Sequence, residues 1–277
     1  MNLTLDSTYK LNNGVEIPVL GLGTLRAQGE RVQNAILWAL DAGYRHIDTA
    51  KAYGNERDVG SAVERSGLPR DDVFVTTKLW NDDHGFDNAL KAVDRSLGKL
   101  GLDYVDLYLI HWPVSGRRVE TWRAMERILE QGKARAIGVS NFTPRHIQEL
   151  VEETDVVPAV NQIEFTPYLY QKALQSYCEG KGIKIEAWSP LTRGLKLGDP
   201  KLVTIADKYE KSPAQILLRW GLQQQAVVIP KSEQRDHLAE NAQVFDFSIT
   251  RDDMDALNGF NEGLRTSGWD PYSDQFA

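Results

Sequence analysis

Cysteine is nearly absent. The chain has one, Cys178, so no intramolecular disulfide can form, a disulfide scaffold is excluded, and a reducing compartment suits it. Long apolar runs are missing too. None approaches the roughly 18 residues of a spanning helix, and residues 1–10 lack a basic segment followed by an apolar one, so neither a membrane span nor a secretory signal is expected. Histidine is sparse. His46, His84, His111, His146 and His237 form no His-x-His or His-x-x-x-His pair, so the ligand spacing of a metal-dependent barrel hydrolase is absent and no metal is expected. Positive charge is outnumbered, with 32 Lys and Arg against 39 Asp and Glu for a net charge of −7. Such a surface is a poor general partner for nucleic acid or anionic membrane, though it leaves room for one local basic pocket. No linker, low-complexity segment or short repeat interrupts the chain. What remains is a soluble, cytoplasmic protein, expected to be a monomer.

The composition present is that of an ordinary globular protein, 42% apolar and 26% charged. Its 277 residues allow one large domain or two small ones. Short β-rich runs alternate with longer stretches of helical period. Eight strands are expected at residues 19–22, 46–48, 73–78, 105–110, 136–139, 159–162, 183–188 and 226–230. Helices are expected at residues 31–42, 56–65, 87–100, 120–131, 144–153, 171–181 and 213–223. Thr143-Pro144 and Ser212-Pro213 read as N-caps followed by a first-turn proline, and Gly43, Gly101, Gly132 and Gly182 follow helix ends.

Eight strand–helix units imply parallel pairing through right-handed crossovers. The closed solution is an α/β fold, the (β/α)8 TIM barrel, here as a single domain over residues 1–277 with a short C-terminal loop and, at residues 9–17, an N-terminal β-hairpin with an Asn-Gly turn, expected to lie over the barrel bottom. An open doubly wound sheet is the alternative, but Gly21-Leu22-Gly23-Thr24 lacks the third glycine and the helix that its phosphate loop needs.

In a barrel, chemistry gathers where strands end. Those ends, and the residue five beyond the second, carry Asp48, Tyr53, Lys78 and His111. Each alone has a plainer reading: a turn cap, a packed loop aromatic, a snorkelling lysine, a core histidine. Together they suit proton donation to a carbonyl oxygen. A lysine ammonium beside a phenol favours its ionised form and lowers its pKa, Asp48 holds the lysine charged, and His111 orients the oxygen. A hydride donor is then needed. Ser140, Asn141 and Gln162 together offer both faces of a carboxamide its partners, Trp188 offers a surface for an aromatic ring, and Lys231-Ser232 offers a site for phosphate. Trp188 also reads as plain packing, and Asn141 as a turn residue.

The segments Gly43-Tyr44-Arg45-His46-Ile47-Asp48-Thr49-Ala50, Tyr53-Gly54-Asn55-Glu56, Leu109-Ile110-His111-Trp112-Pro113, Gly138-Val139-Ser140-Asn141-Phe142 and Asn161-Gln162-Ile163-Glu164 carry a resemblance over the whole length. The sequence resembles the aldo-keto reductase superfamily, and its short tail resembles the prokaryotic 2,5-diketo-gluconate and methylglyoxal reductase branch. The resemblance implies NADPH-dependent reduction of aldehydes and ketones, with Asp48, Tyr53, Lys78 and His111 as catalytic tetrad and Tyr53 as proton donor. It implies cofactor contacts from Ser140, Asn141, Gln162, Trp188, Ser189, Leu191, Lys231, Ser232, Arg235, Glu240 and Asn241, and a loop at residues 192–199 that closes over the cofactor. The pocket walls would be Leu25, Trp80 and Trp112, with Trp269 a candidate fourth, and acidic sugars would fit if Arg117 or Arg118 turned inward. One motif departs. His237 stands where relatives place an arginine beside the 2′-phosphate, which implies a weakened preference for NADPH, with NADH the weaker alternative. A cofactor-binding, redox-sensing subunit with little turnover is the second reading of the same resemblance.

Overall fold

The structure is a computed structural model, and it describes residues 3–273. The chain opens with an antiparallel hairpin, β1 (Thr8–Lys10) against β2 (Glu16–Pro18). Its Asn12-Asn13-Gly14 loop lies inside a Leu11 N–H to Val15 C=O bond of 2.8 Å, with Gly14 left-handed at φ +88°, a three-residue loop and not a two-residue Asn-Gly turn. Asn12 and Asn13 donate to the carbonyls of Pro158 and Arg135, beside the starts of two later strands, so the hairpin covers the bottom of the sheet as expected.

Then come β3 (Leu22–Gly23), β4 (His46–Asp48), β5 (Phe74–Leu79), β6 (Val105–Ile110), β7 (Ala134–Ser140), β8 (Val160–Glu164), β9 (Lys184–Trp188) and β10 (Val227–Ile229). All pair in parallel, in chain order. Residues 19–23 close the ring. Leu20 bridges Val228, Gly21 donates to Val228 C=O at 2.9 Å, and Gly23 donates to Pro230 C=O at 3.0 Å. The fold is therefore the (β/α)8 barrel, and its strands match the expected runs to within two residues at either end, except that the first begins at Leu22, three residues later than expected. Strands such as β6, buried at every position, are apolar apart from one ion-paired residue, Asp106, because both faces are covered.

Helices α1 (Gly29–Asp41), α2 (Glu56–Arg65), α3 (Phe86–Leu100), α4 (Arg118–Glu130), α5 (Pro144–Glu153), α6 (Lys172–Gly180), α7 (Pro200–Lys208), α8 (Pro213–Gln223), α9 (Arg235–Ala242) and α10 (Arg251–Asn258) form the outer layer. Thr143 and Ser212 each close a capping box with the residue three on, His146 and Gln215. Three helices were not anticipated. In α9 only Leu238 and Asn241 are buried, and in α10 only Leu257, so neither shows an apolar stripe. The α7 start repeats the proline device, with Asp199 Oδ1 accepting from Lys201 N at 2.9 Å, so its signal was present.

Gly60 lets α2 lie against the end of α3. A Cβ there would sit 1.9 Å from Leu100 O. Gly60→Ala is expected to destabilise the protein by about 1–3 kcal/mol. Gly98→Ala, where a Cβ meets no atom within 4 Å, should shift stability by less than about 1 kcal/mol. Thermal denaturation of both variants checks the pair.

Candidate active site

The C-terminal strand ends surround a cavity of about 730 Å³. Strand register explains how distant residues meet there. Gly23 pairs with Asp48, Ser140 with Gln162, and Glu164 with Trp188, so equivalent positions stack around one rim. Asp48, Tyr53 and His111 line the cavity, as do Leu25, Trp80 and Trp112. Ser140, Asn141, Gln162, Trp188, Ser189 and Leu191 line it as well, and so does Lys231.

Lys78 lies beneath this surface, fully buried. Its Nζ donates to both carboxylate oxygens of Asp48 at 2.7 Å, to Thr49 C=O at 2.9 Å and to Tyr53 Oη at 3.4 Å. Tyr53 reaches this point from a single 3-10 turn (Lys51–Tyr53) that ends at left-handed Gly54, φ +72°. Asn55 pins the turn, donating to the Thr24 and Ala27 carbonyls at 2.9 Å and accepting from Thr49 Oγ1 at 2.6 Å. His111 packs edge-on to Tyr53 and Trp80, with ring centroids 5.7 and 5.1 Å apart.

Burial sets the charge states. Desolvation works against the Lys78 ammonium, but Asp48, Tyr53 and Glu186 together hold its pKa above the usual value. Desolvation and the Lys78 charge push His111 well below the ordinary histidine value, so its ring is neutral. For Tyr53 the expected direction is reversed. Burial raises the phenol pKa more than Lys78 lowers it, so the net shift is upward and the phenol keeps its proton.

The amide cluster also differs from expectation. Ser140 Oγ donates to Gln162 C=O at 2.8 Å, and Asn141 Nδ2 donates to His111 C=O and to Ser140 Oγ, both at 3.0 Å. Gln162 Nε2 donates to Asp48 Oδ2 at 2.8 Å and Glu186 Oε2 at 2.9 Å. All the side-chain donors are spent, so these three residues keep only acceptor capacity free, the complement of a carboxamide NH2. Asn141 holds its place with φ +63°, and its Oδ1 accepts from Trp188 Nε1 at 3.0 Å, fixing the half-buried indole beside the amides. These free acceptors and the ring fit a nicotinamide carboxamide on one edge, its NH2.

The remaining expected residues lie elsewhere. Ser232, Arg235, Glu240 and Asn241 are not on the cavity wall; Arg235 is exposed on α9 and Asn241 is buried in it. The charge that Lys231 offers a phosphate is shared, because Glu233 accepts from Lys231 Nζ and, at 2.5 Å, from Arg31 Nε. Arg117 and Arg118 do not turn inward. Arg117 donates to His84 C=O and Arg118 to Glu149 at 2.7 Å. The cations on the wall besides Lys231 are Arg26 and Arg193, which sequence pattern did not single out. Trp269 does reach the pocket. Thr266 N donates to Glu164 Oε1 at 2.7 Å and ties the tail to the barrel, and Trp269 packs 4.8 Å from Trp112 and 6.4 Å from Trp80. Glu186, buried inside β9, was also missed, since one acid in an apolar strand carries no local signal.

Residues 19–262 match the family profile described as "Aldo/keto reductase family". The chain is 47% identical over 266 residues to glyoxal reductase of Bacillus subtilis (strain 168), with 96% of each chain covered. A crystal structure of an aldo/keto reductase from Brucella melitensis superposes with TM-score 0.89 at 48% identity, over 92% of this chain and 99% of that one. An aldo-keto reductase from Bombyx mori, solved in complex with NADP, superposes with TM-score 0.90 at 38% identity, over 98% of this chain and 99% of that one.

Asp48→Asn keeps the side-chain shape but strands the Lys78 ammonium. It is expected to cost about 3–5 kcal/mol at pH 7. Without its partner, Lys78 has a folded pKa below the unfolded value of about 10.4, so the unfolded chain binds more protons and stability recovers as pH rises. Chemical denaturation at pH 7 and pH 10 checks both the loss and its direction.

Proposed function

The chain belongs to the aldo/keto reductase family, and on that premise we propose that it reduces aldehydes and ketones to alcohols with NADPH, Tyr53 supplying the proton. The observation that carries this reading is the direction of one hydrogen bond. An ammonium has only donors, so Tyr53 Oη accepts from Lys78, and the phenol proton is left for another atom in the cavity. With its pKa raised, Tyr53 holds that proton at neutral pH. As the proton leaves, the phenolate forms against Lys78, whose ammonium Asp48 keeps in place. His111 is neutral, and its Nδ1 meets no acceptor among the described residues. Its proton is then available on Nε2 to orient a carbonyl oxygen, a donor typically worth about 10²–10³-fold.

A nicotinamide cofactor, when bound, would supply the hydride. Ser140, Asn141 and Gln162 would hold its carboxamide NH2, and Trp188, fixed by Asn141, would offer its ring a flat surface. Ser189 and Leu191 would face the pyrophosphate, and Arg26, Arg193 and Lys231 offer phosphate groups positive charge on the cavity wall. Ser232, Arg235, Glu240 and Asn241, beyond that wall, would serve the adenosine end. The complex of the Bombyx mori relative with NADP supports this choice of cofactor. Leu25, Trp80, Trp112 and Trp269 make a largely apolar substrate side suited to small aldehydes and α-dicarbonyls, in keeping with the glyoxal reductase name of the Bacillus relative.

Tyr53→Phe is expected to lower kcat by about 10²–10⁴-fold while leaving the NADPH dissociation constant, read by quenching of tryptophan fluorescence, within about twofold. Retained turnover would remove Tyr53 as proton donor. Glu233 competes with phosphate for Lys231, so Glu233→Gln should raise the kcat/KM ratio of NADPH over NADH by roughly fivefold, the scale of a part-exposed ion pair. An unchanged ratio would show that Lys231 does not read the 2′-phosphate.

A further inference from the structure

The barrel interior holds a carboxyl group that the proton-transfer account leaves unused. Glu186 lies in the middle of β9, fully buried. It pairs in register with Gln162 on β8 and Val227 on β10. Gln162 Nε2 spans two carboxyl groups, Asp48 Oδ2 at 2.8 Å and Glu186 Oε2 at 2.9 Å. Asp48, facing Lys78, is acceptor-only, so it fixes Gln162 with its NH2 inward. Glu186 takes the second N–H of that group. Its other oxygen, Oε1, makes no hydrogen bond among the described residues and lies 3.6 Å from His46 Nε2. His46 is itself bonded to Thr76 Oγ1 at 3.0 Å.

Resting on the reductase reading above, we propose that Glu186 is a positioning residue of the site: through Gln162 it fixes the amide edge presented to the cofactor carboxamide, and through its place beside Asp48 it controls how readily Tyr53 gives up its proton. The first role follows from donor arithmetic. With both N–H groups of Gln162 held, its carbonyl oxygen is the only edge left for a ligand. Without Glu186, one N–H is orphaned in the barrel and the amide loses half its restraint.

The second role follows from charge. The titratable groups facing Glu186 are His46 and Asp48 from β4 and Lys78 from β5, with Tyr53 beyond Lys78; β8 and β10 contribute the neutral Gln162 and Val227. Lys78 and Asp48 cancel. Burial and the Asp48 charge push the Glu186 carboxyl up to about 8, and burial brings the His46 ring down to about 3. At neutral pH both are uncharged. With Oε2 receiving the Gln162 N–H, Oε1 is the oxygen left to carry the Glu186 proton. At higher pH an ionised Glu186 adds a second negative charge beside Asp48. That charge opposes the phenolate that must form when Tyr53 donates, so reduction slows. The sign for stability is the same. Between the unfolded carboxyl value of about 4.3 and about 8, the folded protein binds a proton that the unfolded chain has released, so this residue makes stability fall as pH rises.

The test uses Glu186→Gln, which keeps an acceptor oxygen for Gln162 but cannot ionise, and Glu186→Ala, which removes both. Reduced-cofactor affinity is read by tryptophan fluorescence, kcat from pH 6 to 9.5 with an aldehyde, and stability by denaturation across the same range. Glu186→Ala should weaken cofactor binding by about tenfold, the scale of an orphaned buried donor, and Glu186→Gln should restore it to within about threefold. The alkaline decline of wild-type kcat near pH 8 should vanish in Glu186→Gln, and its stability should lose the downward slope. A wild-type pH profile in Glu186→Gln, or wild-type affinity in Glu186→Ala, overturns the proposal. If Glu186→Ala does not fold, the Glu186→Gln profile still decides. A wild-type protein that neither binds the cofactor nor reduces a carbonyl would instead defeat the reductase reading.

Discussion

A lysine ammonium and a carboxylate share the dry interior of this barrel, and the rest of the site is arranged around them. Lys78 and Asp48 are both buried, and each is costly to bury alone. Their bidentate contact is sustained by further bonds that use up every donor. Thr49 C=O and Tyr53 Oη take what Asp48 leaves of Lys78, and Gln162 takes the remaining acceptor capacity of Asp48. Because the lysine can only donate, the pair gives a direction to everything it touches. Tyr53 becomes an acceptor toward the barrel and a donor toward the cavity. Gln162 turns its NH2 inward and its carbonyl outward. The same positive charge, with burial, keeps His46 and His111 neutral.

The fold makes that concentration of charge tolerable. Parallel strands, covered on both faces, bring Asp48, Lys78, Gln162 and Glu186 to neighbouring levels of one closed ring, although they span residues 48–186 of the chain. The loops beyond the strand ends carry residues with more freedom. Tyr53 sits on a 3-10 turn, and Arg26, Ser189 and Arg193 sit in left-handed backbone around the cavity mouth. Trp269 comes from a tail tied down through Thr266 and Glu164. A rigid acidic–basic centre thus lies beneath a rim built from loops, a division that lets the rim vary without disturbing the ion pair.

Much of this was legible in the residues. Eight apolar runs separated by helical stretches were enough for the barrel, because parallel strands buried on both faces are continuous and short. Polar residues at the ends of those runs were enough for Asp48, Lys78, His111, Ser140, Asn141 and Gln162. The misses have physical reasons. α9 and α10 bury so little that no periodicity survives. Donor saturation at Ser140, Asn141 and Gln162 depends on cross-strand partners that no local pattern reveals. The direction of the Tyr53 shift is a balance of burial against Lys78, and burial is a tertiary quantity. The pairing of Lys231 with Glu233 was within reach, two residues apart, but the part played by Arg31 depends on α1 lying beside the loop before α9.

In the proposed reaction this ion pair arms a phenol to protonate a carbonyl oxygen during its reduction. Its most direct measurement mixes the purified protein with NADPH and a small aldehyde such as methylglyoxal, following cofactor absorbance alongside alcohol formed. The account predicts carbonyl-dependent oxidation of NADPH with one alcohol produced for each cofactor consumed. Tight cofactor binding with no carbonyl-dependent oxidation across a panel of aldehydes and ketones would contradict it.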